Sequence, residues 1–269
     1  MSLCQVLTHC PTSRCVDAVT KPWPRFWAPS WSRRDHWGGT RFQFEVFAIG
    51  FALVAIPYLI TNNIAHLYLD TVIDPELALD RKIPVVYWMI LPYSLLYLFY
   101  PLTLALSPRD DRGRAEIAVA MQMLISVNAV CCIIHLALPA EIDLRDQIDW
   151  QSMNAWQTTL FELIHSADNP WNAWPSLHIV HSYFLARLMT MWVQRENPGR
   201  ALSRLFLILL WLEWVLLCIS IMTTKQHYAF DLVTGVLVAH LAWVWCKPSL
   251  ELVGSMGTDA FAEEAGWAS

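Results

Sequence analysis

The sequence predicts an all-α polytopic membrane protein, a bundle of six transmembrane helices. Two observations carry this. Hydrophobic residues fill 56% of the 269 positions and charged ones 15%, and the apolar residues gather in blocks near the roughly 20 residues that one bilayer crossing requires. The connections between blocks alternate in charge, as cytoplasmic and outer loops do. This composition excludes a disordered chain or a coiled-coil rod. A net charge of −5 supplies no basic field, which excludes nucleic acid as a partner. The seven cysteines lack paired-ligand spacing and suggest neither a disulfide framework nor a zinc site.

Residues 1–42 read as a basic, Trp-rich segment with no cleavable signal sequence, so the first span does the targeting. Lys21 to Trp27 and Trp31 to Trp37 mix Trp with basic residues. That mixture suits the headgroup zone, and the prolines forbid one long helix; a flexible tail is the alternative. The membrane domain covers 43–247, followed by a short tail at 248–269. Its spans run from Phe44 to about Ile60, Ile83 to Leu106, Ala115 to Leu138, Ser176 to Val193, Leu202 to Met222 and Ala229 to Trp245. Continuous apolarity without strand-like alternation admits only helices. Pro84, Pro92 and Pro101 predict a kinked or broken second helix. Between the third and fourth spans, Asp149 to His165 sets Trp150, Trp156, Leu160, Phe161 and Ile164 among polar residues. That pattern predicts a short amphipathic helix, which either gates lipid entry or covers the bundle.

Orientation follows from the flanks. Arg14, Lys21, Arg25, Arg33, Arg34 and Arg41 precede the first span, Arg109, Arg112 and Arg114 fill the second connection, and Arg195, Arg200 and Arg204 the fourth. The first connection carries Asp70, Asp74, Glu76 and Asp80, and the third carries Glu141, Asp143, Asp146, Asp149, Glu162 and Asp168. Both termini are therefore expected in the cytoplasm, with the acidic connections outside.

The polar residues that remain gather at span ends on the outer side, where their cost in a membrane argues for a site. His227 and Asp231 are spaced i, i+4, which on a helix puts both on one face. The carboxylate can then fix the imidazole tautomer and raise the reactivity of its other nitrogen, or the pair can be a structural hydrogen bond. Pro175 and Ser176 open the fourth span as helices favour, with Ser176 as N-cap or first-turn residue. Free amides there attract anions, and His178, further along, can donate a proton to a leaving oxygen. A capped helix bearing an interfacial His is the competing reading. Lys225 and Arg145 can neutralise an anionic group in transfer, or snorkel at the interface. His181 either extends the site or packs on its helix face.

These residues resemble the type 2 phosphatidic acid phosphatase (PAP2) superfamily. Pro175-Ser176-Leu177-His178 matches its second signature, with Leu in the usual Gly position, and Ser220 with His227 and Asp231 keeps the spacing of the third. Asn172 to His178 and Thr224 to Tyr228 are most similar to the branch holding inositol-phosphorylceramide synthases and bacterial relatives. The likeness spans roughly residues 83–245. The first signature, Lys then six residues then Arg-Pro, is absent, and Arg145 stands near its place. Ile221 replaces the Arg that usually follows the third-signature Ser, and Lys225 stands nearby as a substitute charge.

The resemblance implies six core helices and a site on the extracytoplasmic side. It makes His227 the nucleophile that forms a phosphohistidine, Asp231 its orienting partner, and His178 the acid and then the base. Ser176, with Ser220, Lys225 and Arg145, would hold the phosphate. The expected protein is an integral membrane lipid phosphate phosphatase, acting on a phospholipid or other lipid phosphate without metal or cofactor. An alcohol in place of water makes it a phosphotransferase. Two other classes compete: a metal or haem protein using His135, His178, His181, His227 and Asp231, and a non-catalytic membrane scaffold or transporter.

Overall fold

Long apolar runs become long helices, because only an intrahelical ladder satisfies the backbone where no water is available. The structure is a computed structural model and describes residues 23–267. Cys4, Cys10, Cys15 and the segment before Trp23 lie outside the described residues. Among those described, every regular element is helical. In order they are α1 (Pro24–Trp31), α2 (His36–Gly39), α3 (Arg41–Tyr68), α4 (Ile90–Leu106), α5 (Asp111–Ala137), α6 (Ala155–Ala167), α7 (Leu177–Glu196), α8 (Ala201–Thr223), α9 (Ala229–Met256) and α10 (Thr258–Glu264). Short 3-10 turns occur at Asp80–Lys82, Tyr87–Met89, Arg145–Gln147 and Trp150–Ser152.

Among the described residues, five stretches are long and apolar enough to cross a membrane: Arg41–Tyr68, Tyr87–Leu106, Asp111–Ala137, Ala201–Thr223 and Ala229–Met256. The chain is thus a multi-pass membrane protein. α7, the expected fourth span, is 20 residues long but more polar, and thirteen of its residues are buried. It packs against α4 and α8, so its surroundings are protein side chains and do not demand apolarity. The second span starts later than expected. Ile83 is extended and the turn at Tyr87–Met89 leads into α4, leaving Pro84 before the helix.

The chain divides into two units. One holds residues up to Leu53, Ser107–Ser126 and Leu241 onward. In it Trp31 packs edge-on against Phe42 and tilts against Trp267, while the Arg34 guanidinium lies 4.8 Å over the Trp31 ring. Gly39, at φ 84°, lets the backbone pass Arg114, whose Nη2 donates to the Gly39 carbonyl at 2.9 Å. A Cβ there would strike that guanidinium.

The other unit holds Val54–Leu106 and Val127–His240. Its core joins Ile90, Tyr93 and Leu96 of α4, Phe161 and Ile164 of α6, Ile179 of α7, and Leu217 and Ile221 of α8. The amphipathic helix foreseen between the third and fourth spans is α6. It begins on a reciprocal capping box, in which Asn154 and Gln157 each accept the other's backbone N–H at 3.2 and 3.0 Å. It buries Phe161 and Ile164 and leaves Trp156 and Leu163 exposed.

Candidate active site

α8 ends in a Schellman motif. Gln226 N donates to Ile221 O at 3.0 Å and Lys225 N to Met222 O at 3.2 Å, with Lys225 itself left-handed at φ 59°. The turn reverses the chain so that His227 precedes α9 and Asp231 falls in that helix's first turn. The expected placement of the pair on one helix face is therefore corrected. The two meet across a loop-to-helix junction, because the Asp231 carboxylate also captures the orphan N–H of Tyr228 at 2.9 Å.

His227 Nδ1 lies 3.1 Å from Asp231 Oδ2. The carboxylate can only accept, so Nδ1 carries the proton and Nε2 presents its lone pair. That nitrogen faces His178 Nδ1 at 3.2 Å and Ser176 Oγ at 3.4 Å. Ser176 is the N-cap of α7, yet its side chain makes no capping bond and turns to His227 instead. Its backbone N–H donates to Asp231 O at 3.3 Å, fastening the starts of α7 and α9 together. His135 of α5 adds a tie from Nε2 to the Pro175 carbonyl at 3.2 Å. Ser176 and Asp231 are fully buried, while His178 and His227 keep 8% and 5% exposure.

The other sequence-derived residues divide. Arg145 is brought near, with Nη2 donating to Gln226 Oε1 at 3.0 Å and to Asp168 O at 3.1 Å. Burial lowers its pKa, and the Asp168 carboxylate opposes that. Burial also pushes Asp168 up to about 6 although Tyr58 OH donates to it at 2.7 Å, and holds His165, which contacts Gln226 at 2.9 Å, down to about 4. Lys225 is committed elsewhere: its Nζ donates to Asp80 O at 2.8 Å and Ile83 O at 2.6 Å, fully buried. Ser220 Oγ donates to Leu217 O at 2.7 Å within its own helix.

Sequence reasoning missed three contributors. Tyr93 reaches His178 Nε2 at 2.8 Å. The buried Asp80 accepts Ala229 N at 2.8 Å and Leu77 N at 2.7 Å. Asn62 donates to the carbonyls of Asn169 and Trp171 and accepts Asn169 N, holding the approach to α7. Asp80 carried a faint signal as an acid beside a span; the others lie more than 80 residues from their partners and carried none.

The ligand set of the competing metal reading is gathered only in part: His178, His227 and Asp231 meet, while His181 and His135 are turned to other partners. His181 Nδ1 contacts Tyr100 OH at 2.7 Å and His135 serves Pro175. Among the described residues no three His, Cys, Asp or Glu side chains are grouped to hold a metal ion.

The sequence profile of the PAP2 superfamily matches residues 64–245. The chain belongs to the PAP2 superfamily. Members of the superfamily are generally phosphatases or phosphotransferases, so this PAP2 protein is a membrane protein of lipid-phosphatase type. A search of curated proteins found no match, and a search of solved structures found none. The matched region of this PAP2 chain contains every side chain of the His227 cluster.

Proposed function

We propose that this PAP2 protein is an integral membrane lipid phosphate phosphatase acting through a phosphohistidine on His227. The observation that carries the reading is the placement of His227 Nε2, with Asp231 behind its other nitrogen and His178 Nδ1 and Ser176 Oγ beside it. The Nε2 lone pair forms a bond to phosphorus while the bond to the lipid oxygen breaks, and His178 gives its Nδ1 proton to that oxygen. Water then attacks phosphorus and loses a proton to His178 Nδ1. The P–N bond breaks, its electron pair returning to His227. Ser176 and the first amides of α7 receive phosphate oxygens, and Arg145 supplies charge from the side of Gln226. Lys225 and Ser220 are left outside this scheme, because Lys225 Nζ is turned to the carbonyls of Asp80 and Ile83 and Ser220 Oγ to that of Leu217.

We further assign six crossings, counting α7 as the sixth, with both termini cytoplasmic and the site extracytoplasmic. The support is the charge alternation of the connections and the burial of α7 among its neighbours. The test is chemical. Wild type exposed to ³²P-labelled phosphatidic acid should carry an acid-labile label that His227→Ala, folded to the same extent, does not. Label persisting in that variant would sink the reading. Adding inositol to the same assay separates the acceptors, since headgroup incorporation would replace the hydrolase with a transferase.

A further inference from the structure

α4 delivers a side chain to the site that no motif singles out. Tyr93 OH lies 2.8 Å from His178 Nε2, and its ring tilts against the imidazole with centroids 4.7 Å apart. Tyr93 is 1% exposed, so water does not compete for this contact. The other ring nitrogen, Nδ1, is the one that faces His227. The phenol therefore occupies the side of the ring opposite the atom that exchanges protons.

We infer that Tyr93 is a positioning residue for the reaction: its hydroxyl oxygen accepts Nε2–H of His178 and so reserves Nδ1 for proton transfer. The inference rests on the phosphoryl-transfer reading above. In the first half-reaction the His178 imidazolium gives the Nδ1 proton to the departing oxygen. The neutral ring that remains keeps its hydrogen on Nε2, where Tyr93 accepts it. In the second half-reaction the proton of the attacking water returns to Nδ1 and the imidazolium is restored. Nε2–H stays on the Tyr93 oxygen throughout, so the ring neither flips nor changes the atom it presents. A phenyl group at this position would leave Nε2–H buried without an acceptor, which disfavours the charged ring.

The groups facing His178 are Tyr93 from α4, His227 with Asp231 behind it from the start of α9, and His181 from its own helix. Arg145 and Asp168 act on Tyr93 electrostatically from the connection after α5. The same two helices carry an internal control. Tyr100 OH bonds His181 Nδ1 at 2.7 Å and has no part in the scheme.

The experiment follows kcat and KM on phosphatidic acid in mixed micelles from pH 4 to 9 for wild type, Tyr93→Phe and Tyr100→Phe. Removing an acceptor from the charged ring lowers its pKa, so the basic limb of the kcat profile should move about one pH unit lower in Tyr93→Phe. Activity at pH 7.5 should fall about tenfold, with KM within about twofold. p-Nitrophenyl phosphate, whose leaving group needs little protonation, should lose less, and Tyr100→Phe should overlay wild type. A pure core role, which Phe preserves, predicts no movement of the limb. An unmoved limb in folded Tyr93→Phe overturns the inference.

Should that variant fail to fold, ¹⁵N-histidine-labelled wild type at pH 5 reads the same bond. The Nε2–H of His178, assigned with His178→Gln, should exchange slowly, and rapid exchange overturns the inference. A wild type that neither labels nor turns over removes the parent reading and this one with it. A wild type that labels beside an unshifted Tyr93→Phe removes this one alone.

Discussion

The Lys225 ammonium donates to the main-chain carbonyl of Asp80 at 2.8 Å. The carboxylate of Asp80 in turn accepts the N–H of Ala229, at the start of the helix that carries Asp231. The two residues close a clamp around the turn holding His227. A cation that looks in sequence like a phosphate ligand is thereby used to fix the backbone.

Replacing Lys225 with Met should therefore act on stability. It removes two hydrogen bonds and leaves the carbonyls of Asp80 and Ile83 without their donor, at a cost of about 2–4 kcal/mol. The melting temperature in detergent should drop by several degrees, with KM for phosphatidic acid within about twofold. A tenfold rise in KM at unchanged melting temperature would return Lys225 to the phosphate.

Asp80→Ala should lower both stability and turnover, because it strips the donors at Leu77 and Ala229 of their acceptor. The cost is about 1–2 kcal/mol, as for loss of a helix cap. Asp80→Asn keeps one acceptor oxygen and sets its NH2 against the other N–H, because Ala229 N and Leu77 N bond different carboxylate oxygens, so it should recover only part of the loss. An Asp80→Asn variant that matches wild type in thermal melts and initial rates would argue against the double cap.

Asp231→Ala tests the tautomer. Oδ2 accepts both His227 Nδ1–H and Tyr228 N–H, so an Asn would keep its oxygen there, whereas Ala removes the acceptor and frees the imidazole to carry its proton on Nε2, which blocks the attacking lone pair. Turnover should fall about a thousandfold or more, with slow labelling of His227 and a protein that still elutes as wild type. A loss under tenfold would mean that Asp231 serves only the Tyr228 N–H.

Asp168 gives a signed pH effect. Burial raises its pKa to about 6 in the folded protein, against the ordinary value near 3.8. Between these values the unfolded chain releases a proton that the folded chain retains, so stability falls as pH rises through that window and is level above it. Asp168→Asn, which can still accept the Tyr58 hydroxyl, should flatten the slope of melting temperature between pH 4 and 6 and melt higher than wild type at pH 7.5. A variant whose slope matches wild type would show that Asp168 ionises normally.

The helical architecture was legible in the sequence because hydrocarbon permits no unpaired backbone, so a span must be written locally as an apolar run. α3, α5, α8 and α9 follow that rule, and their ends fall within four residues of expectation except that α3 and α9 run eight and eleven residues past Ile60 and Trp245. α7 escapes it: buried against α4 and α8, it tolerates His178, His181 and Ser182. The pairing of His227 with Asp231 was legible for the same local reason, although the turn before α9, and not a shared helix face, brings them together.

What the sequence determined by itself was a multi-pass helical membrane protein, with Ser176, His178, His227 and Asp231 beside Arg145, Lys225 and Ser220 as candidate site residues, because local spacing and transfer energy act over a few residues. Only the tertiary structure decided that Tyr93 holds His178 across 85 positions of chain and that Lys225 ties down the Asp80 loop while Arg145 sits beside Gln226. Those outcomes depend on which helix ends converge and on the direction each long side chain takes once packed. Hydrogen bonds between distant residues leave no periodicity to read.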